Sequence, residues 1–178
     1  SASFGCEDDG ISVPIPLGFN FRYYGNVYTE VTASSNGWLS FLPQNTWYNL
    51  NATIPTAASP NAVLAVMWDD LDGLAGPNPG TIYYYHDVAE NKFIVSWVDW
   101  AFYSTSPNFS MQAIFDVNNN SIKMQYMGTF SQTDVTVGIE NETGTDGLLV
   151  AYNQQYIHDS LAIRFASAPE GFQPAHYM

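Results

Sequence analysis

The chain has 178 residues, 46% of them apolar and 16% aromatic, and 17 acidic residues against four basic ones give a formal charge of −13. That length suits one domain with a full core, and that apolar content excludes a disordered polymer. The charge excludes a phosphate-backbone binder, which needs clustered Lys and Arg, so no nucleic-acid partner is expected.

From Ser1 to Gly10 the chain reads as an acidic N-terminal arm carrying Glu7, Asp8 and Asp9. The start has neither a basic run nor an apolar signal core, so any secretion signal is expected to have been removed or never included. Cys6 is the single cysteine, so no internal disulfide framework forms, and its thiol either pairs outside this chain or has no role.

Residues 11–166 read as one β-sandwich domain. Short runs of Val, Ile, Tyr, Phe and Trp alternate with polar residues and end at Gly, Pro, Asn or Asp. Strands are predicted at 11–17, 19–23, 28–33, 37–41, 62–68, 81–86, 92–100, 109–116, 121–127, 134–139, 148–152 and 161–165. So many short strands exceed what one open, twisted sheet carries, which predicts an all-β fold of two packed antiparallel sheets, jelly-roll-like in form. Asn36-Gly37 and Asn118-Asn119-Asn120 supply the left-handed backbone that tight hairpin turns need. Two long irregular stretches, 42–60 and 70–80, are where binding residues are sought first. The longest apolar run, Ala62 to Trp68, is far shorter than the roughly 20 residues of a membrane helix, so no membrane span is expected. The last segment, 167–178, reads as a tail or linker.

From Asp8 the sequence runs D-D-G-I-S-V-P-I-P-L-G-F-N-F-R-Y-Y-G-N-V-Y-T-E-V-T-A-S-S-N-G-W-L-S-F. Its aspartate-rich start, Ile15 to Phe19, Tyr23-Tyr24-Gly25, the Ser34-Ser35-Asn36-Gly37 turn and Phe41 follow in a characteristic order. Trp68-Asp69-Asp70-Leu71, Val95-Ser96-Trp97, Val137 to Asn141 and Leu161 to Phe165 continue it. This series resembles nidogen-like (NIDO-like) domains and related modules of large secreted bacterial proteins. The resemblance spans roughly Asp8 to Phe165 and implies an extracellular β-sandwich with adhesion or ligand binding as its role. It carries over no catalytic residue.

Asp69, Asp70 and Asp72 crowd the end of an apolar strand. Ca²⁺ takes six to eight oxygens from such carboxylates and backbone carbonyls, so these three are candidate metal ligands, with Glu7, Asp8 and Asp9 as further oxygen donors. The same aspartates would equally cap turns through hydrogen bonds to the backbone. Sugar rings stack on Trp and Tyr, and Trp47 and Tyr48, in the long loop beside Asn45 and Asn49, are the candidate ligand-binding aromatics; most other Trp residues are expected in the core. Asn51, Asn108, Asn119 and Asn141 head glycosylation sequons. The four cations, Arg22, Lys92, Lys123 and Arg164, stand singly, so no anion-binding patch is visible in the sequence. His86, His158 and His176 show no metal-ligand spacing and no nucleophile motif.

The reading that follows is a non-catalytic extracellular binding or adhesion module for a glycan or an extracellular protein, with Ca²⁺ as a stabilising ion. The alternative is a structural subunit that assembles with copies of itself, by strand addition, into a surface filament, sheath or virion decoration. A hydrolase would depend on His86, His158 or Glu140.

Overall fold

The computed structural model describes residues 2–4, 8–104, 107–130 and 134–167. Cys6, Glu7, His176 and the tail beyond Ser167 lie outside the described residues. The chain forms an antiparallel β-sandwich of thirteen strands among the described residues. They are β1 (Ala2–Phe4), β2 (Ile15–Tyr23), β3 (Asn26–Ala33), β4 (Trp38–Ser40), β5 (Val63–Trp68), β6 (Leu71–Asp72), β7 (Thr81–Asp87) and β8 (Lys92–Phe102). The chain continues through β9 (Phe109–Asp116), β10 (Ser121–Gly128), β11 (Thr136–Glu140), β12 (Gly147–Tyr152) and β13 (Ala162–Ala166).

One sheet has the order β1-β7-β8-β9-β10-β13, with β6 paired to the end of β8; the other runs β12-β11-β5-β4-β3-β2. In β8 to β10 buried and partly exposed residues alternate because one face packs inward and the other meets solvent. Phe93, Val95 and Trp97 of β8 and Met111, Ala113 and Phe115 of β9 face Leu17, Phe21, Leu64 and Val66 of the opposite sheet in one buried cluster. Phe21 links the layers, with its ring edge-on to Phe115 at 5.4 Å and stacked with Phe41 at 5.9 Å.

The continuous apolar run of β5 is buried at every position, as a strand covered on both faces must be. Its inward side chains join the main core, while Val63, Ala65 and Trp68 form a second cluster with Trp38 and Ile54 on the outer face of the sheet. The long loop 42–60 covers that face. Trp38 Nε1 donates to the Trp47 carbonyl at 3.0 Å, and Trp68 Nε1 donates to the Tyr48 carbonyl at 2.6 Å. A buried indole N–H needs an acceptor, and here two of them fix the loop in place.

Three features depart from the predicted strands. The runs 11–17 and 19–23 are one strand that starts at Ile15, interrupted by a shift in register between the pairs Pro16–Glu30 and Phe21–Tyr28. Gly18 sits in that irregularity at φ +78°, and a Cβ there would fall 1.5 Å from the His86 ring, so the missing side chain makes room for the histidine. Leu71–Asp72 turns back to pair with the end of β8. Three residues of the expected N-terminal arm, Ala2–Phe4, pair with β7 and extend the seven-stranded sheet at its edge.

Candidate ligand-binding corner

The Ser34-Ser35-Asn36-Gly37 turn is wholly buried and organises one end of the sandwich. Trp97 Nε1 and Trp100 Nε1 reach across from the facing sheet to the carbonyls of Ser34 and Ser35, each at 3.0 Å. Gly10 N donates to Ser35 Oγ at 2.9 Å, and Ser12 N donates to the Ala33 carbonyl at 2.8 Å, which lays the N-terminal segment along the turn. Asn36 then ties two remote segments together. Its Nδ2 donates to Asp9 Oδ1 at 3.0 Å, and its Oδ1 accepts Leu71 N at 2.8 Å.

The consequence is a carboxylate cluster drawn from two segments far apart in the chain. Asp8, Asp9 and Asp70 each place a carboxylate oxygen within 4.8 Å of the others. Of the expected trio, Asp70 alone belongs to this cluster. Asp72 Oδ1 instead accepts Leu74 N at 2.7 Å, which is the turn-capping role. Asp69 faces Asp134. Burial pushes its carboxyl up to about 7, reinforced by the charges of Asp134 and Asp70. The Asp70 carboxyl is also raised, by burial first and then by Asp9 and Asp8, while a hydrogen bond from Asn49 pulls it back. Three crowded carboxylates of this kind form the donor set a hard divalent cation such as Ca²⁺ takes. Among the described residues this is the one group of three such side chains with converging atoms.

Trp47 adjoins the cluster through Ser34, whose Oγ lies 3.1 Å from the Trp47 carbonyl and 3.5 Å from that of Gly10. Trp47 is 42% exposed. Tyr48 has a different place: it is half-buried against the second cluster, its ring 6.1 Å from Trp38, at φ +41°. The loop therefore presents Trp47 and uses Tyr48 for packing.

The sequons divide in the same way. Asn51 Nδ2 bonds Thr136 Oγ1 at 3.1 Å and Asn153 Oδ1 at 3.0 Å. Asn108 Nδ2 bonds the Asp99 carbonyl at 2.6 Å and that of Asn78 at 3.1 Å. Asn141 Oδ1 accepts Thr145 N at 3.0 Å and organises the turn after β11. Asn119 is exposed at the tip of the β9–β10 hairpin, with Nδ2 on Asp116 Oδ2 at 3.2 Å. As for the histidines, His86 packs its ring against Phe19 and Phe93 at 5.7 and 5.9 Å, and His158 Nδ1 lies 2.9 Å from the Asp159 carbonyl. A separate cleft of about 370 Å³ opens at another part of the sandwich, among Phe21, Tyr24, Ile122, Ile139, Leu148 and Phe165. No helix of the described residues is long and apolar enough to cross a membrane.

The fold and its turn define an all-β sandwich module of nidogen-related type. The family model described as NIDO related matches residues 2–169, and the chain belongs to that family. No curated protein and no solved structure matched the chain.

Proposed function

We propose that the chain is a non-catalytic extracellular binding or adhesion module. It takes a glycan or an extracellular protein at the corner formed by Trp47 and the Asp8, Asp9 and Asp70 carboxylates, with Ca²⁺ held between the carboxylates. The observation that carries this reading is that the loop holding the exposed Trp47 is tied to that cluster: the Trp47 carbonyl shares the Ser34 hydroxyl with the carbonyl of Gly10, next to Asp9, and Asn49 bonds Asp70. An indole face offers apolar area for a sugar ring or an apolar side chain, and a bound cation both neutralises the corner and supplies open coordination positions to ligand oxygens. Membership of the NIDO-related family supports placement outside the cell.

A glycan array and a panel of matrix proteins, probed with and without calcium, test the reading. Binding that falls on Trp47→Ala and on chelation supports it. Failure to bind any member of either panel, together with a melting temperature indifferent to calcium, would remove it.

The edge pairing of Ala2–Phe4 with Ile82 to Tyr84 favours a second reading, assembly by strand addition. The same three residues supplied by a neighbouring copy would join subunits along that edge. Sedimentation of the chain with and without residues 1–10 separates the two: monomers at every concentration in both forms would rule assembly out.

A further inference from the structure

Cations that are scattered in the sequence meet on the outer face of the seven-stranded sheet. Lys123 on β10 and Arg164 on β13 are direct cross-strand partners, and both fall on the solvent side of strands whose alternate residues are buried. Like charges placed opposite one another repel. No ion pair relieves them: the single ion pair among the described residues joins Lys92 and Glu90. Asp116, two ladder positions away on the same face, accepts hydrogen bonds from Asn118 N at 3.0 Å and Asn119 Nδ2 at 3.2 Å and makes no ion pair with either cation. Two unneutralised cations side by side, on a chain of charge −13, are a local feature that calls for an anionic partner.

The rest of the face says which anion. In register with the pair, Ile114, Ile94 and Tyr85 continue the same row across β9, β8 and β7. The adjacent row holds Tyr83, Ser96, Gln112 and Gln125. Tyr83 and Tyr85 are 40% and 47% exposed, and the two glutamine amides point to the same side with no hydrogen-bond partner among the described residues. Five strands at about 4.8 Å spacing make a strip roughly 19 Å long, enough for several sugar units laid across the strands. Phenol rings and isoleucines meet the apolar faces of sugars, amides and a hydroxyl meet their hydroxyls, and the cation pair meets carboxylates.

We propose that this face is a binding site for a carboxylated polysaccharide, separate from the Trp47 corner. It rests on the reading of the chain as a binding module, but uses none of the corner's residues. The carboxylates of the corner do not forbid it, because charges are screened within about 8 Å at physiological ionic strength.

Calorimetric titration of the full chain with polygalacturonate and with its fully methyl-esterified form, both in EDTA, tests the site. Polygalacturonate is expected to bind, the ester to bind about tenfold or more weakly, and the double variant Lys123→Gln/Arg164→Gln to lose about tenfold in affinity. Tyr85→Ala is expected to weaken both polymers, and Asp70→Asn to weaken neither. Equal binding of the two polymers, no binding of polygalacturonate, or a double variant that binds like the parent would each overturn the proposal. Salt-sensitive self-association lost in the double variant, without polymer binding, would assign the face to a second copy and also overturn it. Glycan binding lost only on Trp47→Ala would leave the corner reading standing and this one refuted.

Discussion

Glu140 and Thr56 are joined by a hydrogen bond that satisfies half a carboxylate. Oε2 accepts Thr56 N at 2.9 Å, while Oε1 is buried without a hydrogen-bond partner among the described residues and the residue has no exposed surface. Burial pushes the carboxyl up to about 7, against the pull of the Thr56 N–H.

The sign of the pH dependence follows. Below the unfolded value of about 4.3, Glu140 is neutral in both states and its burial costs no charge. As pH rises the unfolded chain ionises first, so stability falls, and the penalty is complete above about 7, on the order of 3 kcal/mol. Asp69, also raised to about 7, adds a slope of the same sign, so the comparison belongs in an Asp69→Asn background with EDTA. Urea melts from pH 5 to 8 are expected to show the decline, and Glu140→Gln to flatten it. An unchanged slope in the variant would show that Glu140 is not its source.

Gly37 is a position where a side chain would collide with backbone. It sits at φ +75°, its carbonyl accepts both Val66 N and Met67 N at 3.0 Å, and a Cβ would lie 2.0 Å from the Met67 carbonyl oxygen. Backbone cannot retreat as a flexible side chain can. Gly37→Ala is expected to cost at least about 2 kcal/mol in thermal or urea unfolding.

Trp68→Phe keeps one aromatic ring in the cluster, leaves a small cavity and removes the N–H that holds the Tyr48 carbonyl. The expected loss is about 1 to 2 kcal/mol, with faster proteolytic cleavage inside 42–60 than elsewhere. Limited proteolysis followed by mass spectrometry locates the cut.

Calcium is expected to separate two aspartates that lie two residues apart. Millimolar Ca²⁺ is expected to raise the melting temperature of the parent, because an ion bound only by the folded chain stabilises it. Asp70→Asn should abolish the response. Asp72→Asn, which weakens the cap on Leu74 N, should lower the melting temperature and leave the calcium increment intact.

Two sequon asparagines should differ as sharply. Asn108→Gln displaces an amide that bonds the Asp99 and Asn78 carbonyls and accepts Asn78 N at 2.9 Å, at a cost of about 1 to 3 kcal/mol. Asn119→Gln, at an exposed turn, is expected to change unfolding by less than about 0.5 kcal/mol.

The sequence by itself determined the class of fold, because the period-2 alternation in β8, β9 and β10 and the unbroken apolar run of β5 are local consequences of which strand faces meet solvent. The order of its motifs likewise pointed to the NIDO-related family. Only the tertiary structure decided which residues meet. Asn36 brings Asp9 to Asp70 across more than 25 intervening residues on either side, whereas Asp69 and Asp72, near neighbours in the chain, diverge. Register alone sets Lys123 opposite Arg164, and two buried indole N–H groups decide that the 42–60 loop covers a sheet face, exposing Trp47 and packing Tyr48. Strand pairing joins residues by hydrogen bonds between distant segments, so its partners are absent from local pattern, while burial on one face is written into every second residue.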